Sequence, residues 1–187
     1  MLIDITLKIT PGMIQEAQGN EKTALAGHLG THFDVMNKEF PLEYTERRGI
    51  IFDVSRVTDR DIEESDIDLS KVEQDMFVAF HTGFIEAEGY GTARYYKEHP
   101  QLSNALINAL LAKNISIIGV DFAGIRRGLE HTPMDQTCAD RGVFIVENLC
   151  NLKAILGSRW SREFTANTYP IRFTEMSGLP CRVIAKV

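Results

Sequence analysis

The sequence predicts an α/β domain, and three observations lead to that fold class. Apolar and polar residues alternate near the N-terminus, short apolar runs recur along the chain, and one amphipathic helix leads directly into such a run. A strand, a helix and a further strand in that order are typical of a parallel sheet. With 187 residues, of which 44% are hydrophobic, the chain can bury a sizeable core. One domain is therefore predicted over residues 1–187.

The predicted elements follow from the spacing of apolar residues. Residues 2–10 alternate as a half-buried strand does and stop at Pro11-Gly12. Residues 101–113 repeat apolar side chains at helical spacing, and the β-branched run at 115–120 is typical of a strand buried on both faces. The acidic segment 59–75 is predicted to be a surface helix or loop. Further strands are predicted at residues 49–54, 75–80, 142–146, 169–174 and 182–187.

A doubly wound nucleotide-binding fold is the competing interpretation of the same pattern. It requires a glycine-rich phosphate loop directly after a strand. The nearest candidate, residues 88–93, has two glycines and begins several residues after the preceding predicted strand ends. The signal for a nucleotide site is therefore weak.

Charge and cysteine content limit the classes of partner. The 20 basic residues against 26 acidic ones give a net charge of −6, which argues against a nucleic-acid partner. We expect no membrane segment, because no run approaches the ~18 apolar residues of a span. The N-terminus lacks the basic and apolar regions of a signal peptide. Three cysteines without a CxxC pair predict a reduced, cytoplasmic protein.

The segment from His28 to Asp34 is the first candidate for chemistry. His28, Gly30, His32 and Asp34 face one way in an extended chain, but His28 and His32 would then stand ~13 Å apart, too far to share an ion. A helix would bring the two histidines together and turn Asp34 away. A shared metal site therefore requires a bend between the histidines, and glycine is the residue type that tolerates one.

Spacing alone leaves two interpretations of this segment open. One is a metal site, and the other is a polar turn whose histidines cap nearby carbonyl groups. The segment is not the HExxH helix of zinc peptidases, because Leu29 follows His28 where that motif has glutamate.

Glu147 is the second candidate, because it ends the apolar run at 142–146. A carboxylate in that position is partly desolvated, which is costly unless it is paired, and a raised pKa would suit it to acid–base work. The simpler alternative, favoured by how seldom glutamate is buried, is a side chain that turns to solvent or caps the next helix.

Taken together, these segments resemble the cyclase family of metal-dependent hydrolases, which includes bacterial kynurenine formamidase and isatin hydrolase. The family motif is His-x-Gly-Thr-His-x-Asp-x-Pro-x-His, and residues 28–34 reproduce its first seven positions. Supporting segments follow in the family's order. They are Asp4-Ile-Thr6, Pro11-Gly12-Met13, Thr82-Gly83-Phe84, residues 95–103, Gly119-Val-Asp121, residues 142–149 and Pro180-Cys-Arg182.

The resemblance implies a compact domain of the swivelling β/β/α type that assembles as a homodimer or larger homo-oligomer. It implies zinc or manganese, one ion or two, held by His28, His32 and Asp34, with a metal-activated water attacking an amide, formamide or lactam carbonyl. A later histidine and a glutamate complete the family's site, and the glutamate falls on Glu147.

Three positions depart from the family pattern. Met36 stands at the motif's proline and Lys38 at its last histidine, so Lys38 is predicted to stabilise an oxyanion or hold a substrate carboxylate. The later histidine lies twelve residues before the glutamate, a position occupied by Asp135, which can itself ligate zinc or manganese. His131 is the alternative ligand, and Cys138 a weaker one.

The resulting hypothesis is an arylformamidase-like enzyme that cleaves a non-peptide C–N bond of a small molecule. Its metal ligands would be His28, His32, Asp34, Asp135 and Glu147, and its catalytic residues Lys38 and Glu147. The substitutions at positions 38 and 135 motivate a second hypothesis: a catalytically inactive family member that binds a metal and a small ligand or a partner.

Overall fold

The described part of the chain forms one sheet that closes on itself. The computed structural model describes residues 1–24 and 26–187, without the side chains of residues 22 and 24. Its strands are β1 (Leu2–Asp4), β2 (His32–Asp34), β3 (Glu46–Asp53), β4 (Phe77–His81), β5 (Ile117–Val120), β6 (Phe144–Glu147), β7 (Ser161–Pro170) and β8 (Gly178–Lys186). Its helices are α1 (Pro11–Ala17), α2 (Glu21–Ala24), α3 (Phe84–Glu88), α4 (Ala93–Glu98), α5 (Asn104–Ala112), α6 (His131–Asp140) and α7 (Leu152–Leu156).

The strands run in the order β1-β8-β2-β6-β5-β4-β3-β7, and β7 also pairs with β8. This last pairing closes the sheet into a barrel of seven strands, with β1 attached to the end of β8. Strands β3, β4, β5 and β6 are parallel neighbours. The predicted α/β class is confirmed, and the closed barrel excludes the open, doubly wound alternative.

The parallel strands are buried on both faces, as predicted for β5. Ile118 and Val120 pack on one side with Leu106 and Leu110 of α5, because alternate residues of a strand point to opposite faces. Ile117 belongs to a second cluster on the other side, together with residues of α7. Helix α5 is the crossover that makes β4 and β5 parallel, and Ser103 caps its first turn.

Several predicted boundaries are wrong. The predicted strand 169–174 overlaps only the end of β7, whose buried residues Phe164, Ala166 and Thr168 alternate with polar ones too evenly to form an apolar run. Strand β1 ends at Asp4 rather than at residue 10. The acidic segment 59–75 is a loop, one of the two predicted alternatives, and it holds two short 3-10 turns, Glu64–Asp66 and Leu69–Lys71. Residues 88–93 link α3 to α4 rather than a strand to a helix, so they do not form a phosphate loop.

Strand pairing brings the candidate residues together. The carboxyl ends of parallel strands meet at one edge of a sheet, and Glu147 ends β6 at that edge. The short strand β2 runs antiparallel to β6, with His32 directly opposite Glu147. Among residues 1–24 and 26–187, no helix is long and apolar enough to span a membrane.

Candidate metal centre

The bend that a shared site requires is present at Gly30. This glycine has φ +69°, and a Cβ there would overlap the side chain of Ile9. The bend brings the rings of His28 and His32 to a centroid distance of 4.9 Å, in a T-shaped arrangement. The straight-strand separation of ~13 Å is thereby avoided, and both rings can face the carboxylate of Asp34.

His28, His32 and Asp34 form a compact group of potential ligands. The Nε2 atom of His28 lies 3.1 Å from Oδ1 of Asp34, and Nε2 of His32 lies 3.6 Å from the same oxygen. Two ligands each about 2.1 Å from a tetrahedral ion are about 3.4 Å apart, so both separations suit a common ion. His32 and Asp34 are almost fully buried, whereas His28 is partly exposed.

A second group of potential ligands shares Asp34 with the first. It adds His131 and Asp135, and one ligand atom from each of the three residues lies within 4.8 Å of the others. His131 and Asp135 are one turn apart on α6, with His131 Nε2 3.1 Å from Asp135 Oδ2. His131 is the first residue of this helix. Gly124, at φ +104°, leaves the space that the His131 ring occupies.

Glu147 lies between the two groups. Its Oε2 is 3.7 Å from Nε2 of His32, and its Oε1 is 3.6 Å from Nε2 of His131. The carboxyl is buried rather than turned to solvent, so the simpler alternative for this residue is wrong. A strand-end glutamate thus faces two histidines from different parts of the chain.

The donor atoms of this cluster fit a cation. Among the described residues, five buried side-chain polar atoms lack a hydrogen-bond partner. They are His32 Nε2, Asp34 Oδ2, Asp135 Oδ1, Glu147 Oε1 and Arg47 Nε. Four of the five belong to this cluster, and each is a type of atom that ligates zinc or manganese. Because an unsatisfied buried polar atom is costly, their convergence points to a metal ion as the shared partner.

The carboxyl groups differ in their protonation. Burial would raise the pKa of Asp34, but the neighbouring His32 and His28 outweigh it and hold that pKa well below its usual range. Burial, together with the charge of Asp34, raises the pKa of Asp135. Burial and the charges of Asp34 and Asp135 raise the pKa of Glu147. Without a metal, the site thus favours the ionised form of Asp34 and the protonated forms of Asp135 and Glu147.

The cluster lines one side of a cavity of about 510 Å³. Other lining residues include Met36, Tyr96, Ala123, Thr132 and Ser177. None of the lining residues that the structure describes is lysine or arginine. The cavity therefore has one strongly ligating wall and, among its described lining residues, no basic side chain that could pair with an anionic group of a bound molecule.

Two residues named from the sequence lie elsewhere. The ammonium of Lys38 is 2.7 Å from Oδ1 of Asp140, in a partly exposed ion pair, and Lys38 is not among the described lining residues. Its predicted action on a substrate stays a prediction, which requires that pair to open. Cys138 lies in the hydrophobic core, where burial raises the pKa of its thiol to about 12, so it does not reach the cavity.

Asn148 and two tyrosines complete the surroundings of the histidines and were not identified as functional from the sequence. The hydroxyl of Tyr90 accepts a hydrogen bond from the Gly30 amide, and the hydroxyl of Tyr95 donates to Asn148 Oδ1. Asn148 directly follows Glu147 within the family segment 142–149, and Tyr95 begins the family segment 95–103. The tyrosines come from the segment around α4, and no spacing rule connects them to residues 28–34.

Solved structures similar to this chain share its fold. A potential metal-dependent hydrolase with cyclase activity matches with a TM-score of 0.76 and 24% identity, covering 99% of this chain and 96% of its own. A predicted metal-dependent hydrolase from Bacillus stearothermophilus has a TM-score of 0.75 and 23% identity, covering 99% and 97%. Isatin hydrolase A from Labrenzia aggregata, bound to benzyl benzoate, has a TM-score of 0.75 and 18% identity, covering 99% and 93%.

Sequence comparison gives the family. No curated protein matches the chain significantly by sequence. The Cyclase family model, described as "Putative cyclase", matches residues 3–126. This match includes residues 28–34 and covers more than half of the 187 residues. The chain therefore belongs to the cyclase family.

Proposed function

We propose that the protein is a metal-dependent hydrolase that cleaves a non-peptide C–N bond of a small molecule. The observation that carries the proposal is the convergence of four buried, unpartnered ligand atoms in one cavity. Family membership supports it, as does the similarity of fold to isatin hydrolases, one of them bound to the product analogue thioisatinate. Amides, formamides and lactams are the proposed substrate classes, and an arylformamide is one specific candidate.

His28, His32 and Asp34 would hold the ion, and His131 and Asp135 would complete the site or hold a second ion through Asp34. The ion, zinc or manganese, would polarise the substrate carbonyl and activate a water. Among the lining residues that the structure describes, none is a lysine or arginine to pair with a substrate carboxylate, which favours an uncharged substrate. Lys38 keeps its predicted role as a substrate anchor only if its ammonium leaves Asp140.

Glu147 is the proposed proton carrier. Burial and the charges of Asp34 and Asp135 raise the pKa of its carboxyl, so its carboxylate is a stronger base than that of an exposed glutamate. The water loses one proton when it adds to the carbonyl carbon, and the leaving nitrogen needs one when the C–N bond then breaks. Glu147 would accept the first proton as a carboxylate and donate it to the nitrogen, so the residue ends each cycle as it began.

A substrate panel with a chelator arm tests the proposal. The purified protein is assayed with uncharged formamides, lactams and simple amides, before and after metal removal and after zinc or manganese is restored. We expect turnover of at least one class that is lost on chelation and lost in His28→Ala. Stoichiometric metal without turnover of any compound would favour the non-catalytic binding protein instead.

A further inference from the structure

We infer that Asn148, supported by Tyr95, is a positioning residue that selects the tautomer of His32 and so prepares its Nε2 atom for the metal. The inference rests on the proposed metal site. It concerns how the ligand is oriented before any ion binds, and it adds two residues to those that the ligand geometry identifies.

Three consecutive hydrogen bonds connect Tyr95 to His32 through the protein interior. The hydroxyl of Tyr95 lies 2.7 Å from Oδ1 of Asn148, and Nδ2 of Asn148 lies 2.8 Å from the carbonyl oxygen of Gly30. The same carbonyl oxygen lies 2.8 Å from Nδ1 of His32. Tyr95, Asn148 and His32 are 0%, 2% and 2% exposed, so no solvent competes for these hydrogen bonds.

The chemistry of the Gly30 carbonyl fixes the direction of every bond in the chain. A carbonyl oxygen only accepts, so both Nδ1 of His32 and Nδ2 of Asn148 must carry the hydrogen. Nδ2 of Asn148 also lies 3.5 Å from Nδ1 of His32, but its shorter contact, 2.8 Å, is with the Gly30 carbonyl oxygen. Oδ1 of Asn148 then faces Tyr95, whose hydroxyl must donate. With its proton on Nδ1, a neutral His32 has its lone pair on Nε2, the atom near Asp34 and Glu147.

The backbone of Asn148 is suited to this task. Its φ of +58° is left-handed, a conformation that asparagine tolerates better than most residues. Its amide donates to the carbonyl of Phe122, and its carbonyl accepts from the hydroxyl of Thr31, which holds the residue from both sides. Aspartate could not replace it, because two acceptors would then face each other at Gly30.

The positive φ of Asn148 allows a substitution that removes its side chain without straining the backbone. Asn148→Gly removes the side-chain amide and keeps a residue that adopts this backbone readily. Asn114→Gly is the matched control, because Asn114 has φ +54° and its side chain is exposed. Tyr95→Phe removes only the hydroxyl that orients Asn148.

The primary readout is the ¹⁵N NMR spectrum of the His32 ring in metal-free protein, which distinguishes a proton on Nδ1 from one on Nε2. Wild type and Asn114→Gly should show the Nδ1-protonated form. Asn148→Gly should show a mixture, because free imidazole side chains favour the proton on Nε2, and Tyr95→Phe should fall between. Metal affinity, measured by chelator competition, should fall 10–100-fold in Asn148→Gly and less in Tyr95→Phe.

A merely structural role for Asn148 predicts a different outcome. A folded Asn148→Gly protein with the wild-type tautomer and the wild-type dissociation constant would overturn the inference. If Asn148→Gly fails to fold, Tyr95→Phe decides by the same two measurements. If wild type binds no metal, the proposed function fails while the tautomer comparison still decides whether Asn148 orients His32.

Discussion

Substituting Gly124 by alanine should displace His131 and thereby test whether that histidine is a metal ligand. A Cβ at Gly124 would stand 2.5 Å from Nδ1 of His131, where ordinary contacts begin at 3.4 Å. The ring must therefore retreat by about 1 Å, the difference of those two distances. A carbonyl oxygen, that of Arg126, at 3.0 Å limits any escape of the new methyl group in the other direction.

The magnitude follows from two separate costs. Gly124 has φ +104°, beyond the left-handed region that other residues tolerate, and such strain costs about 1–3 kcal/mol. Forcing a methyl group into the occupied space adds about 1–3 kcal/mol. Gly128, on the same segment, also has a positive φ of +59°, but nothing lies within 4 Å of a Cβ there. Gly128→Ala should therefore cost only about 1–2 kcal/mol and leave His131 in place.

Calorimetric metal titration and urea unfolding of both variants provide the assay. Gly124→Ala should weaken metal binding by at least tenfold, whereas Gly128→Ala should bind as wild type does. Adding His131→Ala to Gly124→Ala should restore part of the lost stability, because the clash is relieved, without restoring affinity. Wild-type affinity in a folded Gly124→Ala protein would refute the assignment of His131 to the site.

Three further outcomes are expected. Metal-free protein should lose stability as pH rises from about 4 through the raised pKa values of Asp135 and Glu147, because the folded state binds more protons than the unfolded state. The loss should reach up to about 1.4 kcal/mol per pH unit for each carboxyl. In Glu147→Gln, the free energy of unfolding, measured in urea at several pH values, should fall less steeply with pH, because one of the two carboxyls is absent. An unchanged dependence on pH would contradict this. Lys38→Ala breaks a partly exposed ion pair with Asp140 and should cost less than about 1 kcal/mol, with KM and kcat unchanged; a raised KM would show instead that Lys38 anchors substrate. Zinc or manganese at 100 times Kd should stabilise the protein by about 2.7 kcal/mol in thermal unfolding, and the absence of a shift would count against a site formed only in the folded state.

The sequence predicted those parts of the fold and site that depend on local spacing. The bend at Gly30 followed from chain geometry together with the hypothesis of a metal site, because His28 and His32 cannot otherwise share an ion with Asp34. The central strand at 117–120 and the helix before it were recognisable because they are apolar and periodic. Most of strand β7 was missed because its buried residues, Phe164, Ala166 and Thr168, are separated by polar ones, so the segment lacks a continuous apolar run.

Long-range contacts were beyond prediction from spacing. The pairing of Lys38 with Asp140 joins two exposed segments, and charge pattern does not select one surface partner among many. Met36, by contrast, has a local explanation. Its φ of +56° is one that proline cannot adopt, so the departure from the family motif accompanies a different turn after Asp34. The series of hydrogen bonds from Tyr95 through Asn148 to the Gly30 carbonyl depends on the closed barrel, which brings residues from three distant segments together.

Asp34 belongs to both groups of potential ligands, so a single substitution there tests the account most directly. Asp34→Asn keeps the size and shape of the side chain and removes its charge. Metal content after equilibrium dialysis against zinc or manganese should be at least one ion per wild-type chain and close to zero in folded Asp34→Asn. Full metal content in folded Asp34→Asn, or none in wild type, would contradict the proposed metal centre.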